Sequence, residues 1–484
     1  MSLSWLEDTM SKILDERDQK GSLRIYKDED DENPTGTGAS TPTSKSDQQK
    51  AIDFSTNDYL GLARSKEQKD LVESRYQSLL NLSSFQDNDE PTLGATGSRL
   101  LSGDSAYARH LERRLAKWHN RSAALVCNSG YDANLSVLSC LPCDRFLFDE
   151  YSHNSLRMGM RLSRTFQDKS DEVSGIFRHN DTQDLRRKLK DLYYSQQQYT
   201  NHANKLRVLI VVESVYSMDG DVAPLREILD LAQQYGALVV VDEAHGLGIF
   251  GDDSGPNSRG TGVLTQFRLE HHPALACSVH TFGKAAGCHG AVVCGSKTLR
   301  QYLWNYGWPL IYSTSLPLHS LVAIECSYET MTGPRGKQLR QHVNQLVQYF
   351  RHLVEDRITN LHQEDGNNHN QTEQMYLLPS MSAIQALVLP RNGNQACSEF
   401  CKCLWDHSRQ TIRLYPIKSP TVPAGMERIR IILHGHNTKA EVDQLVEYMV
   451  LTLIDTGILS KQSASGVAVR RNATNRAALP LSKL

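Results

Sequence analysis

No window of the 484-residue chain approaches the roughly 18 uninterrupted apolar residues that a membrane-spanning helix needs, so no membrane partner is expected. An excess of one charge is missing too. Lys and Arg total 53 against 55 Asp and Glu, which leaves no global field for nucleic acid or an anionic bilayer; any anion site must be local. There are 10 cysteines, but neither Cys140 and Cys143 nor Cys397, Cys401 and Cys403 have partners at zinc-site spacing, so no metal is expected. Unpaired thiols without a secretory signal point to a reducing, intracellular setting. At the N-terminus Trp5, Leu6, Met10, Ile13 and Leu14 recur at helical spacing. Glu7, Asp8, Asp15, Glu16 and Asp18 are interleaved with them, and that acidity argues against an Arg-rich mitochondrial leader.

Hydrophobic residues make up 39% of the sequence, enough for a large core over two or three domains. Residues 28–50 are acidic and then rich in Thr, Ser, Gly and Pro, which reads as an insertion unable to bury apolar surface. The polar blocks 195–205 and 363–374 read as surface loops. Between them, the short apolar runs 208–212, 237–241 and 291–294 suit fully buried parallel strands. The first two flank residues 224–235, which open with Pro224, carry Leu225, Ile228, Leu229 and Ala232 on one face, and are followed by Gly236. That is a strand, helix, strand crossover, and it implies an α/β domain with ligand groups at the carboxyl ends of its strands. The expected organisation is an N-terminal segment 1–60, a large α/β domain 61–320, a small C-terminal α+β domain 321–455 and a flexible tail 456–484. The tail ends Ser482-Lys483-Leu484, the tripeptide read by the peroxisomal import receptor, so a peroxisomal location is expected, with the cytoplasm otherwise.

Asp242 ends an apolar run and faces the ligand crevice of such a sheet, and a second run, 276–279, leads into His280-Thr281-Phe282-Gly283-Lys284. An acid at one strand end and a lysine just beyond the next is what pyridoxal-phosphate (PLP) chemistry requires. The aldehyde needs an amine to form an imine, and the pyridine nitrogen needs a carboxylate to keep it protonated. Taken singly, each has a plainer reading: a strand-end Asp caps helices, and a lysine is a solvated charge. Asn128-Ser129-Gly130-Tyr131 stands between an apolar run and a helical pattern, where backbone amides suit a phosphate, or equally a simple turn. His153 offers a flat imidazole in a segment without apolar periodicity, and an ordinary loop histidine fits as well.

Six motifs in order settle the choice. Asn57-Asp58-Tyr59-Leu60-Gly61-Leu62, Gly97-Ser98-Arg99, Glu213-Ser214-Val215-Tyr216-Ser217-Met218-Asp219-Gly220, Asp242-Glu243-Ala244-His245-Gly246, Thr281-Phe282-Gly283-Lys284 and Thr421-Val422-Pro423-Ala424-Gly425 give a chain that resembles the α-oxoamine synthase family of fold-type I PLP enzymes from about residue 23 to 454. Within that family the first and last motifs, with Ile311-Tyr312-Ser313-Thr314-Ser315, look most like the biotin-pathway branch.

The resemblance implies an aspartate aminotransferase-like fold, a homodimer with its site at the subunit interface, and L-alanine and pimeloyl-CoA as substrates. It implies Lys284 as Schiff-base lysine and general base, Asp242 on the pyridinium nitrogen, His153 stacked on the ring, and His245 with Ser217 on the phenolic oxygen. Phosphate is expected on the amides of Gly130 and Tyr131, on Thr281, and on Thr314 of the other subunit. The substrate carboxylate is expected on Arg430 with Asn57, and Arg24 in the acyl-CoA channel. Arg428, two residues from Arg430, points to the same strand face, so choosing Arg430 rests on the resemblance. Glu243 and Tyr131 depart mildly from the usual Asp and Phe. Related condensations, glycine acetyltransfer or a secondary-metabolite reaction, stay open, whereas a silent regulatory subunit would lack the lysine.

Overall fold

The computed structural model describes residues 4–19, 51–82, 91–163, 174–199, 206–254, 259–359, 375–389, 394–419, 421–423 and 425–458. The 28–50 insertion, the 363–374 block, Arg24 and the Ser482-Lys483-Leu484 ending lie outside them. Two compact units are present, residues 1–51 and 52–484. The first carries the helix Ser4–Gln19. No helix among the described residues is long and apolar enough to cross a membrane.

The second unit is built on a seven-stranded sheet of β2 (Ala123–Cys127), β3 (Arg145–Asp149), β4 (Ser174–Phe177), β5 (Val208–Glu213), β6 (Leu238–Asp242), β7 (Leu275–Thr281) and β8 (Ala291–Gly295), in the spatial order β2-β8-β7-β6-β5-β3-β4. The run β4-β3-β5-β6-β7 is parallel throughout. Its central strands are near-continuous Val, Ile and Leu because helices cover both faces and leave no solvent side for polar alternation. The crossover from β5 to β6 runs through the helix Leu225–Tyr235, which buries Leu225, Ile228, Leu229, Leu231 and Ala232 and stops at Gly236 in the left-handed conformation, φ 70°.

Two expectations from sequence are corrected. The run 291–294 forms a buried strand, but β8 is antiparallel to both β7 and β2. Residues 282–290 join β7 to β8, fewer than the dozen or more a parallel crossover needs, so the chain turns straight back. The Phe282 amide donates to the Gly290 carbonyl at 2.9 Å, and the Cys288 amide to the Phe282 carbonyl at 2.9 Å, closing a tight hairpin around Lys284. The block 195–205 is no loop at its start: residues 195–199 continue the helix Thr182–Tyr199. Glutamine is a good helix former, so a polar block need not end a helix.

A second, antiparallel sheet has the order β12-β13-β10-β9, made of β9 (Tyr376–Leu377), β10 (Ile384–Val388), β12 (Tyr415–Ile417) and β13 (Arg428–Ile432). The helices Pro334–Val354 and Lys439–Asp455 belong to this part, the latter started by a Thr438/Glu441 capping box. A parallel pair, β1 (Ile52–Asp53) with β11 (Ile412–Arg413), ties the segment before Asn57 to it. The Ile432 amide also donates to the Phe54 carbonyl at 2.8 Å.

Candidate active site

Neighbouring parallel strands β5 and β6 end in register on two acids, Glu213 opposite Asp242, both buried. Next to them β7 ends on Thr281, and the hairpin beyond it carries Lys284. The Asp242 carboxylate is held from two sides. Asn134 Nδ2 donates to Oδ2 at 2.7 Å, and the Ala244 amide to Oδ1 at 2.9 Å, so the carboxylate cannot rotate freely. Asn134 lies on the helix Gly130–Cys140 and also donates to Ser155 Oγ at 2.9 Å.

Lys284 Nζ lies 2.8 Å from His245 Nε2, and His245 Nδ1 lies 2.6 Å from the Tyr59 hydroxyl. Burial lowers the Lys284 pKa to about 8, against the opposing pull of Asp242 and Glu213 and with help from the Arg430 charge. An amine in that range is available as a base near neutral pH, which an ordinary lysine is not. Burial also keeps His245 neutral, reinforced by the Lys284, Arg430 and His153 charges.

The helix Gly130–Cys140 is capped by Ser129, whose side chain accepts from the Asp132 amide. A Cβ on Gly130 would stand 1.8 Å from Thr281 Oγ1, so only glycine lets the helix start approach the end of β7. Free amides and a hydroxyl thus share one corner, the donor set a phosphate needs. Tyr131 is half-exposed there, and the Asn128 side chain donates to the Thr314 carbonyl at 2.7 Å, bringing residues 313–315 to the same rim. His153 caps the helix Asn154–Arg161 through its ring Nδ1 and is exposed. Its amide donates to Glu213 Oε1 at 2.6 Å.

On the other wall, β13 supplies both arginines, with different fates. Arg428 is fully buried, pairs with Asp219 and donates to the Met426 carbonyl, so it is committed to structure. Arg430 donates to the Ser217 carbonyl at 3.2 Å, and among the described residues no carboxylate pairs with it. Asn57 accepts from the Tyr59 hydroxyl at 3.2 Å. The structure therefore brings Lys284, Asp242, His153, His245, Ser217, Gly130, Thr281, Asn57 and Arg430 to one crevice at the strand ends.

Sequence reasoning gave no role to three residues of this crevice: Asn134, which orients Asp242; Glu213, which anchors His153; and Tyr59, which touches His245. Burial, then the adjacent Asp242 charge, lifts the Glu213 pKa to about 8. Helical spacing places Asn134 on the same face as Gly130, four residues earlier, the one sequence signal that pointed to it. A different cluster, His119, His280 and Cys294, is fully buried; its two imidazoles are tilted with centroids 3.8 Å apart, and their Nε2 atoms lie 2.8 Å and 2.9 Å from the Tyr328 and Ser278 hydroxyls.

A lysine and a carboxylate at the ends of adjacent parallel strands, with a helix start and a threonine beside them, define a fold-type I enzyme of the PLP class. The residues fit that cofactor: ring-nitrogen acid, imine-forming amine and phosphate donors all face one crevice. The match to known proteins agrees. Residues 49–449 fit the aminotransferase class I and II model, and the chain belongs to that family. It is 36% identical over 403 residues, 82% of this chain and 88% of the relative, to 8-amino-7-oxononanoate synthase of Emericella nidulans. It is 32% identical over 400 residues, with the same shares covered, to the Salmonella paratyphi C protein of that name. Both are α-oxoamine synthases, and the chain is one of that group. Among solved structures, a Sphingomonas wittichii serine palmitoyltransferase superposes with a TM-score of 0.68 at 24% identity over 85% of this chain and 89% of the other. An 8-amino-7-oxononanoate synthase from Francisella tularensis gives 0.59 at 23% over 83% and 98%, and both share the fold.

Proposed function

We propose that the chain condenses L-alanine with pimeloyl-CoA, releasing coenzyme A and CO2 and giving 8-amino-7-oxononanoate. The observation that carries the reading is the pairing, in one crevice, of a pKa-lowered Lys284 with an oriented Asp242 and an arginine free for a substrate carboxylate. The 36% identity to a relative of that name selects the substrates within the group.

Bound PLP supplies the electron sink that makes an amino-acid α-carbon nucleophilic. The chain supplies the rest. Asp242, held by Asn134 and the Ala244 amide, would meet the ring nitrogen. His153, with its backbone fixed by Glu213, would stack on the ring, and Ser217 and His245 would face the phenolic oxygen. Phosphate would rest on the Gly130 and Tyr131 amides, on Thr281, and on a Thr314 supplied across a dimer interface. Arg430 holds the alanine carboxylate as a planar fork, with Asn57 beside it. That grip aims the α-proton at Lys284, which takes it as general base.

The active form in this reading is a homodimer. Leu101 and Tyr312 are exposed by 83% and 81%, and Leu100, Trp304, Ile311 and Tyr312 share one groove with Asp104, Arg109 and Arg300, a mixed surface that supports contact with a second copy. Import into peroxisomes through Ser482-Lys483-Leu484 is a separate part of the proposal, supported by those three residues and tested with fluorescent fusions carrying or lacking them; punctate signal from both would reject it.

The deciding assay is coenzyme A release by the PLP-loaded protein with alanine, glycine or serine against acetyl-, succinyl-, pimeloyl- and palmitoyl-CoA. Fast release with alanine and pimeloyl-CoA is expected. Preference for another pair would keep the chemistry and reject the substrates. Lys284→Ala is expected to abolish the imine absorption band and turnover together, and an active variant would sink the assignment of the base.

A further inference from the structure

Three contacts, the middle one fully buried, run in series behind Lys284. Asn57 Oδ1 is 3.2 Å from the Tyr59 hydroxyl, that hydroxyl is 2.6 Å from His245 Nδ1, and His245 Nε2 is 2.8 Å from Lys284 Nζ. Tyr59 and His245 are 1% and 6% exposed, so solvent does not substitute for any missing partner. The chain contains one hydroxyl proton and one imidazole proton. With the hydroxyl donating to Asn57, the Tyr59 oxygen accepts from a proton on His245 Nδ1, and Nε2 is left to accept an N–H of Lys284, as amine or as ammonium. The other tautomer would put a proton on Nε2 facing Nζ, where it opposes an ammonium, and reaching it would need the Nε2–H bond made and the Nδ1–H bond broken.

We propose that Tyr59 is a positioning residue for proton transfer: by accepting from His245 Nδ1 it fixes the tautomer in which Nε2 accepts a proton-bearing Lys284, and so stabilises the lysine after it has taken the substrate α-proton. The inference rests on the general-base role of Lys284 proposed above. One proton moves from the α-carbon to Nζ, so a C–H bond breaks and an N–H bond forms, while His245 keeps its proton on Nδ1 and the Tyr59 hydroxyl keeps its hydrogen toward Asn57 throughout. The other groups facing these residues are Asp242 and Glu213, which favour the ammonium, and Arg430 and His153, which oppose charge on His245. All are present in either tautomer, so they do not replace the missing acceptor.

The test uses the PLP-loaded protein with alanine in D2O and no acyl-CoA, following α-proton exchange by NMR from pH 6 to 10. Tyr59→Phe removes the acceptor and leaves a buried N–H unpaired, which destabilises the ammonium. The expected result is a rising limb displaced to lower pH by about one unit, with a plateau slowed about tenfold. The imine still forms, seen as a retained absorption band, because Tyr59 touches His245 and not Lys284 itself. An unmoved limb, or one moved to higher pH, overturns the relay. If Tyr59→Phe melts early and loses the band, a fluorinated tyrosine at 59 decides instead: its weaker acceptor oxygen moves the limb the same way by less, and an unmoved limb overturns the proposal. A wild type with neither imine band nor exchange would overturn the PLP reading together with the relay, whereas a normal wild type with an unmoved variant overturns the relay alone.

Discussion

His179 gives a stability test that is independent of catalysis. Its Nδ1 lies 2.9 Å from Asp149 Oδ1 at the end of β3, and its Nε2 lies 2.8 Å from Asp221 Oδ2 in the segment after β5. Tyr151 stacks on the ring at 4.3 Å, Tyr216 meets it edge-on, and Asn180 adds a second donor to Asp221. Burial opposes the charged ring, but the hydrogen bonds and charges of the two carboxylates outweigh it and raise the pKa from 6.5 to about 9. At 1.36 kcal/mol per pH unit this linkage is worth on the order of 3 kcal/mol as an upper bound. Because the folded pKa lies above the unfolded one, the contribution is fully present below about pH 6.5 and is lost as pH rises through about 9. For a chain of this size each kcal/mol moves the melting temperature by roughly 1 to 2 °C, so the loss amounts to about 3 to 6 °C. The assay is thermal melting of wild type and His179→Gln at fixed ionic strength from pH 6 to 9.5. The wild-type curve should fall relative to the variant across that window. Parallel curves would refute the reasoning.

Two further predictions concern the site. Gly130→Ala places a methyl group where the Thr281 hydroxyl stands, so cofactor affinity should fall at least tenfold in a titration followed by absorbance; an unchanged dissociation constant would remove the phosphate corner from its place. Arg430→Lys keeps the charge but loses the planar fork, and should raise KM for alanine on the order of tenfold while KM for the acyl-CoA stays within about twofold. Arg428→Lys should instead lower the melting temperature, since its partner Asp219 is structural; the reverse pattern would exchange the two assignments.

The strands around the crevice were legible because burial on both faces writes them as unbroken apolar runs, and Pro224 and Gly236 marked the crossover helix. The direction of β8 was not, since an apolar run carries no sign of which way the chain passes; only the short 282–290 connection contains that information. Asp242 and Lys284 were legible because each follows a strand closely in sequence. Asn134 was not, because its contact with Asp242 spans 108 positions and depends on how the helix Gly130–Cys140 packs. Glu213 reaches His153 across 60 positions and was hidden likewise inside a motif. Arg428 and Arg430 are alike to any reading of alternation, and Asp219 tells them apart.

The hairpin that closes on Lys284 belongs to the large sheet, whereas Arg430 stands on a strand of the small one. Reactivity and substrate recognition are therefore written in separable parts of the chain. A change of length within 282–290 would disturb the turn that holds Lys284, closed by the Phe282–Gly290 and Cys288–Phe282 hydrogen bonds. The strand bearing Arg430 reaches the reactive amine only through the charge of that guanidinium. Descendants of this architecture are free to exchange one amino-acid or acyl partner for another by rewriting the small sheet, with the chemistry inherited unaltered.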